Sequence, residues 1–253
     1  MYCVKCGKEL PENSNFCLDC GTKIETSCTS STSMDFNIIL ENDVLRAQAR
    51  KQLKGVWGEM AFTILVYCLI TFPIQFLFWE YSPFHNKHLE TLVTIAIFIV
   101  SGPFSLGFAG YFLKRIREEK ISTSNIFDGF NSFFSSFLLM LLTYILVFLW
   151  SLLLIIPGII KGLGYSMAYY IMYDEPDIKP IEALKKSQIM MQGYKGKLFM
   201  LYLRFFGWAI LSSLALGIGW FWLAPYVGLS EGNFYENLKK NQEKKASEPV
   251  VTP

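Results

Sequence analysis

The sequence predicts an all-α polytopic membrane protein with about six transmembrane helices, additional interfacial amphipathic helices, and a small metal-binding module at its N-terminus. Hydrophobic residues make up 52% of the 253 residues and charged residues only 17%, where about 25% charged is typical of soluble domains. The hydrophobic residues form long runs, and four of the six cysteines lie in two close pairs near residue 1. This composition excludes a disordered chain, a disulfide-stapled secreted mini-protein and an ordinary cytosolic enzyme.

The cysteine pairs predict a structural zinc site in residues 1–25. Each pair is a Cys-x-x-Cys followed by glycine, and the four predicted ligands are Cys3, Cys6, Cys17 and Cys20. Four thiolates make a closed tetrahedral Zn²⁺ site without an open position for water, so the metal is structural rather than catalytic. The alternative of two disulfides requires an oxidising compartment, and the predicted topology places this module in the cytoplasm. The segment resembles the minimal zinc-ribbon found at the N-terminus of many bacterial membrane proteins.

The charge of the predicted zinc-ribbon argues against nucleic acid as its partner. Residues 1–25 carry three lysines against four acidic residues, a net charge of −1, whereas phosphate binding needs a basic surface. We expect instead that the module docks a cytosolic or membrane protein, or is an inert cap. A Ser/Thr-rich linker over residues 26–40, which includes Cys28, separates it from an integral membrane domain over residues 41–238 and a polar cytosolic tail over residues 239–253.

The membrane domain opens with a predicted amphipathic helix over residues 41–56. Arg46, Arg50 and Lys54 form a basic stripe beside an apolar one. A helix with this division is suited to a membrane surface, where its cations meet anionic headgroups; a solvated charged face is the alternative. A second amphipathic helix, or alternatively a surface coil, is predicted over residues 178–192, with Pro180 in its first turn.

Uncharged runs predict the transmembrane helices. Runs of about 20 apolar residues are long enough to span a bilayer. The predicted runs are Met60–Trp79, Leu92–Leu113, Phe133–Ile156, the short Ile159–Tyr173, and two within Leu198–Val227 that divide near Gly217. A tight turn at Pro157-Gly158 is expected between the third and fourth runs. Since the fourth and sixth runs are short, a tilted or re-entrant helix is the alternative there.

Lysine and arginine residues predict the orientation of these helices. Five segments outside the runs hold 20 of the 23 basic residues: the zinc-ribbon, residues 46–54, 114–120, 179–197 and the tail. Because basic loops stay in the cytoplasm, six spans with both termini cytoplasmic place all five segments on one side. We therefore expect a multi-pass protein of the cell membrane. Its first apolar run is an uncleaved anchor, since no signal peptide precedes it.

Two further patterns concern the interior of the membrane domain. Small residues recur at four-residue spacing in three runs, which favours close helix packing over a narrow pore: Ser101, Ser105 and Ala109; Gly158, Gly162 and Ser166; Ala209, Ser213 and Gly217. Four tyrosines approach the predicted cytosolic face of the fourth run: Tyr165, Tyr169, Tyr170 and Tyr173. We expect them to form an aromatic belt at the membrane interface, with a ligand-facing aromatic surface as the alternative.

The sequence contains no recognisable catalytic residues. No Asp, Glu or His lies in the middle of an apolar run, and such residues mark ion pathways and intramembrane enzymes. Arg204 lies near enough to the end of its run to reach the interface. His85 and His88 in the predicted outer loop are the only other candidate metal ligands, and a zinc or other metal site there is the less favoured reading. No nucleophile–base arrangement or phosphate-binding loop is present, so we expect no enzyme.

Several motifs between residues 44 and 238 are similar to a known family. They are Leu53-Lys54-Gly55-x-Trp57, Gly102-Pro103 followed by Gly107, Phe127-x-Gly129-Phe130, Trp150-Ser-Leu-Leu-Leu-Ile-Ile-Pro157-Gly158-Ile-Ile-Lys161, Tyr165-Ser-Met-Ala, Gly207-Trp208, Pro225-Tyr226 and Phe234-Tyr235-Glu236. This part of the chain resembles the bacterial integral-membrane family known as domain-of-unknown-function family 975. The resemblance implies a multi-span protein of the bacterial inner membrane with the zinc-ribbon as an appendage, and it implies no particular activity.

Two functions remain open at the level of the sequence. The first is a non-enzymatic membrane protein whose cytosolic zinc module docks a partner or senses the membrane. The second is a transporter or channel for a small apolar or amphipathic solute, which the small-residue stripes and the prolines within the apolar runs favour. The lipid bilayer is the expected partner in both cases.

Overall fold

The computed structural model describes residues 41–80, 87–214, 217 and 219–247, with side chains described for 41–71, 91–214, 217 and 219–244. The chain divides into two units, Met1–Ile39 and Leu40–Pro253. All elements described here belong to the second unit. The predicted zinc-ribbon and linker, residues 1–40, lie outside the described residues, as does the end of the predicted tail.

The described residues form nine α-helices and one 3₁₀ helix, without a strand. In chain order these are α1 (Asn42–Leu53), α2 (Trp57–Glu80), α3 (Lys87–Ile116), the 3₁₀ helix (Thr123–Ser132), α4 (Phe133–Leu153), α5 (Ile155–Tyr165), α6 (Ala168–Asp174), α7 (Pro180–Met190), α8 (Lys195–Leu214) and α9 (Trp220–Ser247). The all-helical class predicted from the sequence is confirmed for this part of the chain.

Helix α1 packs its apolar stripe inside the protein. Three residues of this stripe have no exposed surface: Leu45, Ala49 and Leu53. The basic stripe also has a protein partner, because the Nε atoms of Arg46 and Arg50 donate to the hydroxyl of Tyr226 at 3.3 and 3.0 Å. Headgroups and water were the two environments predicted for these arginines. The contact with α9 was missed because the pattern of one helix does not show which neighbour it packs against.

The 3₁₀ helix lies against α3 with almost no side chain between the two backbones. A Cβ atom on Gly107 would lie 1.9 Å from the carbonyl oxygen of Ile126, and one on Gly129 would lie 2.0 Å from that of Pro103. Only glycine, which has no Cβ, permits so close an approach. Around this contact lies a hydrophobic core that joins α1, α2, α3 and α9 and includes Leu53, Met60, Phe104, Tyr111 and Leu229.

The small-residue stripes predicted from the sequence correspond only partly to the close contacts. On α3 the backbone of α4 approaches Gly102, where a Cβ would lie 2.9 Å from the carbonyl oxygen of Ser136. On α5 a Cβ on Gly162 would meet only Val147, at 3.9 Å. On α8, Ser213 is exposed. Four-residue spacing therefore identified the helices in question and Gly158, which lies against Ser151, but it missed Gly102.

The turn between α4 and α5 lies earlier than predicted. Leu154 is extended, with φ −161° and ψ 139°, and separates the two helices. Pro157 and Gly158, the predicted turn, are instead in the first turn of α5, where proline is tolerated because its missing N–H is not needed. Ser151 lies against Gly158, so α4 and α5 pack closely beside the turn.

The fourth apolar run does not form one continuous helix. Helix α5 has 11 residues, about 17 Å at 1.5 Å per residue, against a hydrocarbon core of about 30 Å. A turn at Ser166–Met167 then separates it from α6. Four of the seven residues of α6 are buried: Ala168, Tyr170, Ile171 and Met172. The short run, for which a tilted or re-entrant helix was the predicted alternative, is therefore broken, and its second half forms part of the protein interior.

Helix α7 is the second amphipathic helix predicted from the sequence, and it begins at Pro180 as expected. Of the residues predicted to share its apolar face, Leu184 and Met191 are buried and Ile181 is 54% exposed; Ala183 and Ser187 are buried as well. The last two helices, α8 and α9, separate near Gly217 as predicted, and Gly217 has a φ of +79° that L-residues with a side chain rarely adopt.

Three helical segments are long and apolar enough to cross a membrane: Thr91–Ile116, Thr123–Leu153 and Lys195–Leu214. The number rises to four if α1 and the described part of α2, which meet at 92°, are taken as one broken span. Large apolar side chains on these segments are exposed, among them Phe134, Phe148 and Leu214. Within the described residues three or four helical segments are candidate spans by length and composition, and the number six stays a prediction.

Candidate functional site

The predicted zinc ligands Cys3, Cys6, Cys17 and Cys20 lie outside the described residues. Zinc binding at these cysteines therefore stays a prediction. Among the residues that the structure describes, no group of three or more His, Cys, Asp and Glu residues is arranged to hold a metal ion. The side chains of His85 and His88 are not among those described.

Asp174, the last residue of α6, has a side chain that accepts hydrogen bonds from three other side chains. Its carboxylate, only 6% exposed, accepts hydrogen bonds from Arg117 at 2.9 Å, from Lys239 at 2.5 Å and from the hydroxyl of Tyr235 at 3.0 Å. Burial alone would raise the pKa of Asp174, but the hydrogen bonds from Lys239, Arg117 and Tyr235 outweigh it and hold the pKa below its usual value.

A second carboxylate extends this arrangement into an ion cluster. Arg117, which follows α3, also donates from Nε to Glu236 of α9 at 2.7 Å. Burial lowers the pKa of Arg117, but its bonds to Glu236 and Asp174 outweigh that effect and raise it. We call Arg117, Asp174, Tyr235, Glu236 and Lys239 the charged cluster. It joins residues from three segments that lie up to 122 positions apart in the sequence.

Glu231, which lies one helical turn before Tyr235 on α9, is the other carboxylate inside this region. Part of the residue is exposed, but its carboxyl group lies in the packed interior and accepts hydrogen bonds from the hydroxyls of Tyr170 and Tyr202. These tyrosines come from α6 and α8, so three helices meet at this carboxyl group. The ring of Tyr170 also stacks on that of Tyr235, with centroids 5.4 Å apart and planes 21° apart.

The tyrosines of the fourth run were predicted to form an interfacial belt. Tyr165 and Tyr170 are instead buried in the protein, at 7% and 5% exposure. The ring of Tyr173 lies against Gly110 of α3, where a Cβ would approach it to 2.0 Å. The belt interpretation is therefore wrong for Tyr165 and Tyr170, because other parts of the protein cover their rings. The alternative, a ligand-facing aromatic surface, stays a prediction.

Sequence reasoning missed Asp174 and Glu231. Each lies just beyond the end of an apolar run, where an acidic residue is ordinarily taken as a solvated end. For Glu231 the sequence held one signal: the chain between Val227 and Lys239 contains two glutamates but no basic residue. For Asp174 the sequence offered no signal, because its partners are distant in the chain.

An apolar cavity of about 200 Å³ lies between α2 and α3. Its lining includes Tyr67, Ile70, Ala96, Ile97 and Phe104, residues of the first and second predicted spans. The ring of Tyr67 packs edge-on against Phe104, with centroids 5.1 Å apart. The cavity is of a size and polarity to hold a small apolar group.

These features define a helical protein with membrane-length apolar helices, a charged cluster at one end of them and an N-terminal module with four paired cysteines. The chain belongs to the family described as "protein of unknown function (DUF975)", whose model matches residues 40–161 and 152–242. Residues 2–24 match the model of a zinc-ribbon domain. The resemblance of both parts of the sequence is thereby confirmed. No curated protein and no solved structure is similar to the chain.

Proposed function

We propose that the protein is a non-enzymatic integral membrane protein whose N-terminal zinc-ribbon docks a cytosolic or membrane protein partner or senses the membrane. The observation that carries this proposal is the combination of a zinc-ribbon domain at residues 2–24 with a helical unit that has membrane-length apolar helices. A closed four-thiolate site has no coordination position for a substrate. The function of such a site is therefore to stabilise the fold of the small module around it, and a stably folded surface module suits docking.

We further propose six spans in the bacterial inner membrane, with both termini cytoplasmic. The charged cluster supports an even number of crossings between its members. Arg117 follows the second run, Asp174 ends the fourth, and Glu236 and Lys239 follow the sixth, yet their side chains are in contact. Segments in contact lie on the same side of the membrane, and their excess of lysine and arginine favours the cytoplasm.

In the six-span arrangement, α5 and α6 together make the fourth crossing. They cover residues 155–174 with a break at Ser166–Met167, and a broken helix is tolerated at membrane depth where protein covers it. Helix α1, which meets α2 at 92°, lies along the surface with its buried face on the protein. The exposed part of its polar face is then available to headgroups.

The zinc assignment is tested by metal analysis of the full-length protein. Replacing one ligand, Cys17→Ser, should lower the zinc content from one ion per chain to well below one, because the remaining three thiolates cannot close the tetrahedron. Cys28→Ser, in the linker, is the matched control and should keep its zinc. Stoichiometric zinc in the Cys17→Ser protein would contradict the four-thiolate site.

The docking function is tested with the same pair of variants. Proteins cross-linked to the tagged full-length chain in intact cells should include a partner that is lost with Cys17→Ser and retained with Cys28→Ser. Equal membrane levels of the two variants, measured by immunoblot, show that the loss is not one of expression. A set of cross-linked partners unchanged by Cys17→Ser would overturn the docking function.

The apolar cavity between α2 and α3 favours a second candidate, a transporter or channel for a small apolar or amphipathic solute. Filling the cavity with Ala96→Phe should then abolish uptake of a fluorescent amphipathic cation into proteoliposomes. Leu149→Phe, on the exposed face of α4, is the control and should leave uptake unchanged. Uptake equal to that of protein-free liposomes in the unmodified protein would exclude this activity for the solute tested.

A further inference from the structure

The carboxyl group of Glu231 meets the membrane-length helix α8 at Tyr202. Helices α8 and α9 are antiparallel neighbours joined by a short connection. Tyr202 lies 12 residues before the end of α8 at Leu214, and Glu231 lies 11 residues after the start of α9 at Trp220. At about 1.5 Å per residue, both are roughly 17 to 18 Å from the connection. An ionisable side chain at such depth is expensive and is usually functional.

Tight packing holds Glu231 in this position. Gly228 and Gly232 flank it on α9, and a Cβ on either would come within 2.5 Å of a side chain of α3, Phe112 or Ile116. The helix therefore cannot turn its carboxylate outward without losing these contacts. The hydroxyls of Tyr170 and Tyr202 are the two described partners of the carboxyl group.

Eight basic side chains of this region have described partners other than Glu231. Their described partners are Tyr226 for Arg46 and Arg50, Asp128 for Lys114, the carbonyl of Gln52 for Arg115, the charged cluster for Arg117 and Lys239, Glu175 for Lys186, and Asp43 for Arg204. Further titratable groups on these helices are Lys51, Glu59, Tyr67, Tyr111, Tyr173, Glu182, Lys185, Lys195, Lys197 and Glu236. No described ion pair joins a cation to Glu231.

From this geometry we propose that Glu231, Tyr170 and Tyr202 form a proton-binding site inside the membrane unit, at the junction of α6, α8 and α9. Removal from water without a cation favours the protonated carboxyl group, whereas two hydroxyl donors favour the carboxylate. The two effects therefore act in opposite directions on the same carboxyl group. The ionised form accepts a hydrogen bond from both tyrosines, and the protonated form can itself donate one, so proton binding changes how the three helices are joined.

The charged cluster is the polar region beside this site. The ring of Tyr170, which binds Glu231, stacks on that of Tyr235, and the Tyr235 hydroxyl donates to Asp174. Asp174 in turn binds Lys239, whose side chain is 36% exposed. The charged end of the helices thus begins one helical turn from Glu231.

Infrared difference spectra of the full-length protein in lipid vesicles between pH 5.5 and 8.5 test this site. The carbonyl stretching band of a protonated carboxylic acid disappears on ionisation, and we expect one such band to titrate in this range. Glu231→Gln should remove it. Glu243→Gln, an exposed position on the same helix, should retain it. A titrating band that persists in Glu231→Gln, or the absence of any titrating band in the unmodified protein, would overturn the proposal.

The tyrosines provide a second test that does not depend on the folding of Glu231→Gln. Tyr202→Phe or Tyr170→Phe removes a donor to the carboxylate, so the midpoint should rise by about one pH unit. Tyr144→Phe, at an exposed site on α4, should leave the midpoint unchanged. Midpoints unaffected by both tyrosine variants would show that these hydroxyls do not bind the titrating group, which would contradict the proposed site.

Discussion

Gly107 and Gly129 show how single residues determine the packing of the membrane unit. At each position the neighbouring backbone carbonyl occupies the place of a Cβ, at 1.9 and 2.0 Å. The obstacle is backbone in both cases, so it cannot move aside as the end of a flexible side chain would. The contact between α3 and the 3₁₀ helix therefore depends on glycine at these positions.

Gly107→Ala should destabilise the protein by about 3 kcal/mol or more, since overpacking a well-packed site costs about 1–3 kcal/mol even when side chains can adjust. Gly162→Ala is the matched control because its Cβ has room, and alanine favours a helix by up to about 1 kcal/mol over glycine. Thermal unfolding in detergent should show a lower Tm for the first variant only. Equal Tm values would show that α3 and the 3₁₀ helix are farther apart than described.

Asp174 should make the stability of the folded protein depend on pH in the acidic range. Its pKa is lowered in the folded protein, so its contribution is fully present above the unfolded value of about 3.9. That contribution is lost as the pH falls through the lower folded value. The Tm of the unmodified protein should therefore fall below about pH 4.

Asp174→Asn should lower stability by about 1–3 kcal/mol at pH 7, because it leaves Arg117 and Lys239 with a weaker acceptor. The estimate is modest since both cations are about one-third exposed. The variant should also lose part of the fall of Tm in acid. Asp177→Asn, at an exposed position in the next loop, should behave as the unmodified protein. If Asp174→Asn had the same Tm at pH 7 as the unmodified protein, that result would contradict the described cluster.

At the scale of elements, α1 is fastened to the rest of the unit by polar as well as apolar contacts. The amides of Gln52 and Asn233 exchange two hydrogen bonds, of 3.0 and 2.7 Å. Arg115 of α3 donates to the backbone carbonyl of Gln52. Helix α1 meets α2 at 92°. Through these hydrogen bonds, the last turn of α1 is held against α3 and α9.

A double-mutant cycle should detect the coupling between α1 and α9. Gln52→Leu or Asn233→Leu alone should cost about 1–3 kcal/mol, because each leaves a largely buried amide without its partner. The double variant should cost less than the sum of the two, with a coupling free energy of about 0.5–3 kcal/mol. The measurement is the free energy of unfolding in detergent for all four proteins. Additive effects would show that the two amides do not interact.

At the scale of the whole molecule, the charged cluster and the exposed apolar side chains of the membrane-length helices suit two different environments, water and lipid. The cluster collects residues that follow α3, α6 and the apolar part of α9, while exposed apolar side chains such as Phe148 and Leu152 of α4 need lipid. This arrangement underlies the proposed topology.

Labelling of single cysteines with a membrane-impermeant reagent tests the topology. His85→Cys should react in intact cells, whereas Lys120→Cys and Lys185→Cys should react only after permeabilisation. The two lysine positions are exposed and outside the charged cluster, so the substitutions leave it intact. Labelling of Lys185→Cys in intact cells would mean that α5 and α6 do not cross, and the six-span arrangement would be wrong.

The sequence by itself determined the helical class, the family, the zinc-ribbon domain and the approximate positions of α1, α4, α7 and the α8–α9 division. These follow from local properties, namely hydropathy, periodicity and cysteine spacing, that a short stretch of chain carries within itself. For the short fourth run the sequence predicted a span, with a tilted or re-entrant helix as the alternative, and it did not predict the break at Ser166–Met167.

Only the tertiary structure decided which polar residues meet. Arg46 reaches Tyr226 across 180 positions, and Asp174 reaches Lys239 across 65. The carboxyl group of Glu231 acquires its tyrosines because α6, α8 and α9 converge there. Such pairs depend on the path of the backbone through three dimensions, and a carboxylate at the end of an apolar run looks the same in the sequence whether it meets water or the interior of the protein.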